Sequence, residues 1–363
     1  MPLPVLLQGF VDRVDQREDL VEALIDKTHC LVTGVPGSGR RTLIRAAAQQ
    51  IEVQLLEVDC LRTTSPQQFL QVFGNVITST FTNAKALAFL QAWSLTHPVT
   101  LESSVPGRAR FVWHVASGKE WPLLRALLDL PQQLSQGLDC PLGVVLQNVA
   151  HIRSWDRQER WEVSLSQVME QQNQVSYILV TAMAEAWGQN YALRTIALSP
   201  LSNDELRPWL VAEMAAFGLK LDLETHAADL FLSYVQGHLG DAIALAKRVC
   251  LEYNATHSST PGLLQGHHIH RSMVALITDI SVTFESLLLL LPPSQIRVLE
   301  SLALDPTDSP HARNYIQKHQ LSRGGSLQGA LNSLQQKGLI YGPQYSYRVA
   351  LPFLDFWLKQ RLI

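Results

Sequence analysis

A glycine-rich loop contains the residues of this chain that are best suited to bind an anion. Residues 31–42 are Leu-Val-Thr-Gly-Val-Pro-Gly-Ser-Gly-Arg-Arg-Thr, a short apolar strand, a G-x-x-x-x-G pattern and the start of a helix. Such a loop turns backbone N–H groups toward an anion at the positive end of the helix, and glycine permits the close approach of a phosphate. The spacing predicts a phosphate-binding loop that comprises Gly34, Pro36, Gly37, Ser38, Gly39, Arg40, Arg41 and Thr42.

The residues after the last glycine differ from those of a loop that supports hydrolysis. A Lys normally reaches the outer phosphates there, and the next Ser or Thr binds magnesium. Arg40 keeps the positive charge in a larger planar group, whereas Arg41 is no ligand for magnesium. Thr42 lies about 100° farther round the helix, so we expect its hydroxyl to point elsewhere. Two interpretations remain open, a loop that binds nucleotide and a glycine turn without a ligand.

A second apolar strand ends without the acidic residues that hydrolysis requires. Residues 144–148 are Val-Val-Leu-Gln-Asn, so Gln147 and Asn148 stand where carboxylates would hold magnesium and activate water. Neither amide is a general base, and loss of that base alone costs about 10²–10⁴ in rate. The pattern favours poor hydrolysis or none, with a misplaced strand register as the alternative. Other acidic residues fit poorly by their position in the chain: Asp59, Asp129, Asp156 and Glu159.

Apolar strands alternate with helical segments up to about residue 200, which indicates an α/β fold. The strands are continuous apolar runs, typical of a parallel sheet that is covered on both faces. We predict strands at residues 30–33, 53–59, 142–146, 175–181 and 194–198, and helices at 19–27, 41–50 and 66–78. Residues 98–119 are richer in Pro, Gly and Ser and are expected to form an insertion or a long connection.

From Ser202 onward the pattern is helical. We predict helices at 203–218, 223–236 and 241–254, a polar linker at 254–270, three further helices at 294–304, 311–319 and 326–337, and a two-stranded wing at 339–349. Three helices followed by a hairpin are the order of a winged-helix domain. The predicted domains are a P-loop core at 1–200, a helical lid with its linker at 201–270, and a winged-helix domain at 271–363.

Taken in order, these motifs resemble those of archaeal-type and STAND P-loop ATPases, relatives of the AAA+ class. The similar segments are Phe10–Arg13 with Glu18 and Leu20, Gly34–Thr42, Gly143–Trp155, Ser176–Trp187, Pro200–Glu205, Gly237–Ala242 and the chain from Pro293. The resemblance implies a parallel-sheet core, a helical lid, a winged helix, and ATP or ADP as the ligand. It also places Arg13 near the base and makes Thr181 the polar residue of the sensor strand.

The departures from that family pattern concern its reactive positions. Arg40 and Arg41 alter the Walker A motif, Gln147 and Asn148 alter the Walker B motif, and Asp12 replaces a glycine. We therefore predict no catalytic residue, no metal ligand and no bound magnesium. The leading hypothesis is a regulatory or scaffolding pseudo-ATPase that acts through a protein partner, either a further copy of the chain or an active ATPase paralogue. The alternatives are a slow, unconventional ATPase and a winged-helix regulator that binds DNA.

The composition fits a water-soluble protein and gives little support to a nucleic-acid coat. The 363 residues are 47% hydrophobic and 17% charged, with a net charge of −3 and four widely spaced cysteines. These cysteines are expected to be core residues in a reducing compartment. The segment at Met1–Phe10 does not have the pattern of a signal peptide, and the longest apolar run, Leu287–Leu291, is too short to span a bilayer. We expect a cytoplasmic protein with no membrane segment.

DNA remains a possible partner through two segments. The third helix of the winged-helix domain would offer Gln328, Asn332, Gln335 and Gln336 to bases or backbone, although few basic residues surround it. Basic and aromatic residues also interleave at 108–119, as a surface that stacks single-stranded bases would require. A partly buried strand explains the same residues more simply. Histidines between 257 and 270 lack accompanying cysteines or carboxylates and are expected to lie in a solvated loop.

Overall fold

The computed structural model describes residues 13–105, 108–114, 116, 119–183, 193–256 and 262–362. These residues form two units. One comprises Val14–Thr33 and Arg40–Ala197, and we call it the sheet unit; the other, the helical unit, comprises Arg13, Gly34–Gly39 and residues 198–362. Some predicted features lie outside the described residues: Phe10, Asp12, the Ala-Glu pair at 184–185 and His257.

A five-stranded parallel sheet forms the centre of the sheet unit. The strands of this unit are β1 (Cys30–Thr33), β2 (Gln54–Asp59), β3 (Val99–Val105), β4 (Arg108–Trp113), β5 (Leu142–Gln147), β6 (Val175–Thr181) and β7 (Arg194–Ala197). The five strands of the sheet lie in the order β2-β5-β6-β1-β7, and all of their pairings are parallel. Every residue of β1, β5 and β6 is buried, which confirms the fold class predicted from their continuous apolar runs.

Helices surround this sheet and bury its apolar faces. They are α1 (Val14–Ile25), α2 (Arg40–Gln50), α3 (Pro66–Thr80), α4 (Ala84–Ser94), α5 (Glu120–Leu138) and α6 (Arg160–Gln171). The start of α3 follows from its sequence, because the Ser65 side chain accepts a hydrogen bond from the Gln68 N–H and Pro66 occupies the first turn. Phe69 and Trp161 are both fully buried, with ring centroids 5.4 Å apart, so aromatic packing fixes α3 against α6.

The predicted insertion at residues 98–119 contains an antiparallel hairpin of β3 and β4. Phe111 is only 1% exposed, and its ring lies 5.5 Å from that of Trp93 on α4. Arg110 forms an ion pair with Glu102 on the facing strand at 2.8 Å. The simpler interpretation of this segment is therefore confirmed for Phe111, which packs in the core and does not present a stacking surface.

The helical unit contains eight helices and two short strands among its described residues. They are α7 (Asn203–Ala216), β8 (Leu219–Leu221), α8 (Ala227–Val235), α9 (Leu239–Thr256), β9 (Gly262–Leu264), α10 (Gly266–Leu289), α11 (Pro293–Leu304), α12 (Arg313–Lys318), α13 (Gly325–Gln336) and α14 (Pro352–Leu362). A reciprocal capping box starts α7, in which the Ser202 side chain accepts from the Glu205 N–H and Glu205 accepts from the Ser202 N–H.

The polar linker predicted for residues 254–270 is wrong where the structure describes it. Residues 254–256 belong to α9, Gly262–Leu264 pairs in parallel with β8, and α10 begins at Gly266. The sequence analysis missed α10 because its polar first turn resembles a loop, whereas its apolar residues Ile269, Met273 and Ile277 reach a core formed by distant segments. The bounds of the predicted domains remain predictions, and the one at residue 270 falls inside this helix.

The winged-helix part has the predicted order of helices, but its wing is less regular. The two arms of the wing are joined by an isolated bridge between Ile340 and Val349, and Pro343–Tyr345 forms a 3₁₀ turn. A second bridge joins Tyr347 to Thr307. Buried Leu354, Trp357 and Leu358 fix the additional helix α14 to the core of this unit.

Helix α10 is the one helix among the described residues that is long and apolar enough to cross a membrane. Only 22% of its most apolar window is buried. Its residues Ile269, Met273 and Ile277 nevertheless lie in the core of the helical unit, so α10 is partly a core helix. Length and composition by themselves are therefore weak support for a membrane span.

Candidate functional site

The phosphate loop, Gly34–Gly39, has the backbone conformation that its glycines predict. Gly37 and Gly39 have φ angles of +83° and +92°, a region that L side chains rarely adopt. The Ser38 N–H donates to the Val35 carbonyl at 3.1 Å, which closes a tight turn. The Ser38 hydroxyl is buried and has no hydrogen-bond partner among the described residues. The loop therefore has a polar group that a ligand would satisfy.

The N-terminal end of α9 contacts this loop. The Gly240 N–H donates to the Gly37 carbonyl at 3.0 Å, and the Nε2 atom of His238 lies 2.6 Å from the Pro36 carbonyl oxygen. The sequence analysis missed His238, because a single histidine after a glycine carries no recognisable pattern. It included this residue only within Gly237–Ala242, one of the segments that resemble the P-loop ATPase family. Two loop carbonyls are thus turned toward α9.

His238 is a buried histidine with a partner on each ring nitrogen. Its side chain is 6% exposed, and its Nδ1 atom lies 3.1 Å from the Asp241 carboxylate. Burial opposes a charge on the ring, but the hydrogen bond and charge of Asp241, together with the Pro36 carbonyl, outweigh it and raise the pKa of His238. The ring therefore holds its second proton more tightly than a free histidine does.

Arg13 is a buried cation in the helical unit. It is 6% exposed and donates through Nη2 to the Ser199 carbonyl at 2.8 Å, while its Nε atom has no partner among the described residues. Burial lowers the pKa of Arg13, and the charge of Glu205 opposes that effect. An N–H group of this kind would satisfy an electron-rich atom of a ligand. The place of Arg13 near a base stays a prediction.

Arg40, the first residue of α2, is half-buried in the sheet unit. Its Nη1 atom donates to the Thr181 carbonyl at 2.7 Å, at the end of β6. Burial and, to a smaller extent, the charge of Arg41 lower the pKa of Arg40 to about 10. Arg40 therefore remains charged at neutral pH, next to a backbone carbonyl rather than a carboxylate. The Thr181 hydroxyl is buried and has no partner among the described residues.

Arg41 and Thr42 lie on the outer face of α2, and both are exposed. The Nε atom of Arg41 is 3.5 Å from the Glu57 carboxylate on β2, and Arg45 pairs with the same carboxylate at 2.5 Å. Arg41 thus has a counter-ion on the neighbouring strand. The Arg41 side chain itself contains no oxygen, so it cannot serve as an oxygen ligand for a metal ion.

The carboxyl ends of β2 and β5 bring together three polar residues that are distant in sequence. Asp59 pairs with Gln147 in the parallel register, and the Asn148 side-chain amide donates to the Asp59 carboxylate at 3.0 Å. Gln147 is 5% exposed, and its amide nitrogen has no partner among the described residues. The sequence analysis dismissed Asp59 because β2 follows the loop so soon. The parallel pairing nevertheless places this carboxylate beside Asn148.

Replacing Asn148 with aspartate is expected to destabilise the protein by about 1–2 kcal/mol at pH 7. The change exchanges a donor for a carboxylate oxygen about 3.0 Å from the Asp59 carboxylate. This repulsion raises the folded-state pKa of the new carboxyl group, so the loss should shrink as the pH falls toward its ordinary value of about 4. Urea unfolding at pH 7 and pH 5 measures both effects.

The matched control for Asn148→Asp is the exchange of the two partners. The double variant Asp59→Asn with Asn148→Asp restores one amide and one carboxylate, and should recover most of the lost stability. A double variant that is as unstable as the sum of its two single variants would show that the pair does not interact.

The described residues contain no group of three or more His, Cys, Asp or Glu side chains that could hold a metal ion. The structure brings the predicted site residues together in separate sets. The helical unit holds Arg13 and the glycine loop with His238. In the sheet unit, Arg40 contacts the Thr181 carbonyl. In the same unit, Asn148, which directly follows Gln147, contacts the Asp59 carboxylate.

Comparison with known proteins identifies the fold. A family model described as a "probable winged helix domain" matches residues 282–360. The chain is similar to the structure of the Walker-type ATPase PABY2304 of Pyrococcus abyssi, with 15% identity, 97% of each chain covered and a TM-score of 0.63. The Orc1 protein of Aeropyrum pernix in complex with DNA has 14% identity, a TM-score of 0.48 and coverage of 99% of this chain and 97% of its own.

No curated protein matches the sequence. At 15% identity, the likeness to PABY2304 establishes the fold alone. The chain has the α/β fold of AAA+ P-loop ATPases, with a parallel five-stranded sheet and a C-terminal winged-helix domain.

Proposed function

We propose that this chain is a regulatory or scaffolding pseudo-ATPase that binds ATP or ADP at the phosphate loop and hydrolyses it poorly or not at all. The observation that carries the proposal is the environment of Arg40. This half-buried cation donates to a backbone carbonyl, whereas Arg41 and Arg45 share the Glu57 carboxylate. A buried charge next to a neutral acceptor favours the binding of an anion, and Arg40 follows the glycine loop directly in the chain.

Two unsatisfied buried atoms in the helical unit also support nucleotide binding. The Ser38 hydroxyl within the loop and the Nε atom of Arg13 both lack a partner among the described residues. Buried polar groups in native proteins are nearly always hydrogen-bonded, so each exception suggests an absent ligand or water. Phosphate oxygens would satisfy the hydroxyl, and the acceptor atoms of a base would satisfy the guanidinium.

Weak hydrolysis is proposed from the residues at the metal and water positions. Gln147 and Asn148 carry no charge, and the Asn148 amide is already bonded to Asp59. Arg41 has no oxygen for magnesium. The Asp59 carboxylate is the acidic group that a slow, unconventional ATPase would use, and it lies in the sheet unit beside Asn148.

A groove in the helical unit supports action through a protein partner. Its volume is about 810 Å³, and its lining includes Leu288, Leu289, Leu291, Ile296 and Trp357. Leu289 is 85% exposed and the neighbouring Leu290 is 82% exposed. Contiguous exposed apolar side chains of this kind favour contact with another protein. The partner that we propose is a second copy of the chain or an active ATPase paralogue.

Calorimetry of ADP and ATP binding, with and without magnesium, tests the proposal. We expect binding that does not require magnesium and no phosphate release. The double variant Arg40→Lys with Arg41→Thr is expected to bind nucleotide at least as tightly but to remain without turnover, because Gln147 and Asn148 are unchanged. Clear magnesium-dependent phosphate release by the natural protein would contradict the proposal. Loss of that release in Asp59→Asn would then support the slow ATPase.

The matched winged-helix domain favours DNA binding as a second candidate function. Helix α13 exposes Gln328, Asn332 and Gln336, side chains able to contact bases or phosphates. The positive field is weak, because Lys318 pairs with Asp305 and Lys359 pairs with Asp355. A gel shift over a range of salt concentrations tests this function, and absence of a shift even at low salt would exclude it.

A further inference from the structure

A chain of three hydrogen bonds connects the phosphate loop to the last helix of the protein within the helical unit. The Nε2 atom of His238 lies 2.6 Å from the Pro36 carbonyl oxygen. The Nδ1 atom of His238 lies 3.1 Å from one Asp241 oxygen, and the other Asp241 oxygen accepts from the Phe353 N–H at 3.0 Å. Phe353 lies in the first turn of α14. One buried ring thus lies between the loop and the winged-helix part.

The ring contacts the loop closely enough that its position and that of the loop depend on each other. A Cβ atom at Gly37 would lie 2.6 Å from Cε1 and Nε2 of His238, so glycine is the residue that admits the ring here. The Gly240 N–H also holds the Gly37 carbonyl. Because these two carbonyls are bound on the side of α9 and the Ser38 N–H donates to the Val35 carbonyl, the N–H groups of Gly37 and Gly39 are left for an anion.

The geometry accommodates both protonation states of His238, but with different bonds. In the neutral ring, Nε2–H donates to Pro36 and Nδ1 accepts from the Asp241 N–H at 3.2 Å. In the charged ring, Nδ1–H donates to the Asp241 carboxylate while the bond to Pro36 is kept. The second proton therefore adds an ionic link to Asp241 and a positive charge directly behind the phosphate loop.

Tyr341 is an ionisable residue of the wing near this link, but it does not supply a competing proton near neutral pH. Burial and, to a smaller extent, the charge of Asp241 raise the pKa of Tyr341 to about 12, against the opposing charges of Arg348 and Arg13. Tyr341 therefore stays neutral. The carboxylate of Asp241 is the acidic group that contacts His238, and the first turn of α14 stabilises that carboxylate by its N–H group.

We propose that His238 is a positioning residue for the phosphate loop, and that its doubly protonated ring strengthens nucleotide binding and transmits it through Asp241 to α14. This inference rests on the proposed nucleotide binding. Because linkage is reciprocal, a bound anion stabilises the charged ring, and the protein takes up protons when nucleotide binds. The first turn of α14 becomes more firmly held at the same time.

The test compares the natural protein with His238→Gln, whose amide nitrogen is placed to donate to Pro36 but does not titrate. ADP binding is measured by calorimetry from pH 6 to pH 9 in two buffers of different ionisation enthalpy. We expect affinity to fall about threefold to tenfold across this range, with proton uptake above that of the variant; a tenfold fall corresponds to one pKa unit. The nucleotide itself also titrates in this range, but it does so equally with both proteins. The difference between the natural protein and the variant therefore reports His238.

Hydrogen exchange at the first turn of α14 provides a second readout. ADP should slow this exchange in the natural protein and have a much smaller effect in His238→Gln. Equal proton uptake and equal pH dependence of affinity in both proteins would overturn the inference and leave the proposed function intact. No ADP binding by either protein at any pH would overturn the proposed function, and this inference with it.

The pH dependence of stability without nucleotide tests the ionic link of His238 separately from nucleotide binding. Because the folded-state pKa of His238 is raised, its contribution is fully present below the ordinary value of about 6.5 and is lost as the pH rises through the folded value. The natural protein should therefore lose its advantage over His238→Gln between pH 6 and pH 9. If the free energy of unfolding of the two proteins depended on pH in the same way, the ionic link between His238 and Asp241 would be overturned directly. If His238→Gln does not fold, Asp241→Asn, which keeps an oxygen for the Phe353 N–H, gives the same comparison.

Discussion

Replacing Arg40 with alanine is expected to weaken ATP and ADP binding by about tenfold to a hundredfold. A hydrogen bond to a charged group contributes about 1.5–3 kcal/mol, which corresponds to a change of this size in affinity. Arg40 is the cation that directly follows the glycine loop in the chain, and the described structure pairs it with the Thr181 carbonyl rather than with a carboxylate. Calorimetry without magnesium measures the affinity of each protein.

Two further variants on the same helix make the Arg40 result specific. Arg45→Ala removes an equal charge about one and a half turns farther along α2. Because Arg45 is paired with Glu57, we expect this variant to change the affinity by less than about threefold. Arg40→Lys keeps the charge without the planar group and should bind nucleotide far better than Arg40→Ala. Equal affinity of Arg40→Ala and the natural protein would show that Arg40 does not contact the nucleotide.

Replacing Gly237 with alanine is expected to destabilise the helical unit by about 2–5 kcal/mol, because two costs add. Gly237 has φ of +76°, and an added Cβ atom would lie 2.1 Å from the Leu201 carbonyl oxygen. That oxygen belongs to the backbone, which relaxes less easily than a side chain. Since His238 follows directly, ADP affinity should fall as well. Urea unfolding measures the loss of stability.

Gly329→Ala is the matched control for Gly237→Ala. Gly329 lies on the exposed face of α13, and an added Cβ atom would meet no other atom within 4 Å. Alanine there should stabilise the protein by about 0.5–1 kcal/mol, because it restricts the unfolded chain and favours the helix. A similar effect of both substitutions would mean that the close approach of Leu201 to Gly237 is relieved at little cost.

The predictions from sequence succeeded where short contiguous segments carry the information. The apolar runs of β1, β5 and β6 predicted a buried parallel sheet, and the glycines at 37 and 39 predicted a tight loop, in which the structure gives both of them positive φ. The predicted linker failed because the burial of Ile269 and Met273 in α10 depends on partners elsewhere in the chain. The binding of a nucleotide, the weak hydrolysis of that nucleotide and the protein partner remain proposals.

The pairs that define the candidate site show why sequence reasoning stopped where it did. Asn148 and Asp59 are 89 residues apart, and His238 and Pro36 are 202 residues apart. Strand order brings the first pair together, and the start of α9 against the loop brings the second. Neither leaves a periodic or local pattern, so Asp59 was dismissed and His238 was overlooked.

The sequence by itself determined the α/β class, the course of the glycine loop and the absence of charge at Gln147 and Asn148, because each of these depends on residue types in short contiguous segments. Only the tertiary structure decided which groups face one another: Arg40 and the Thr181 carbonyl, Asn148 and Asp59, and His238 between the loop and Asp241. The physical reason is that hydrogen bonds and ionic contacts act over a few ångströms in space, at positions that the packing of the whole chain sets.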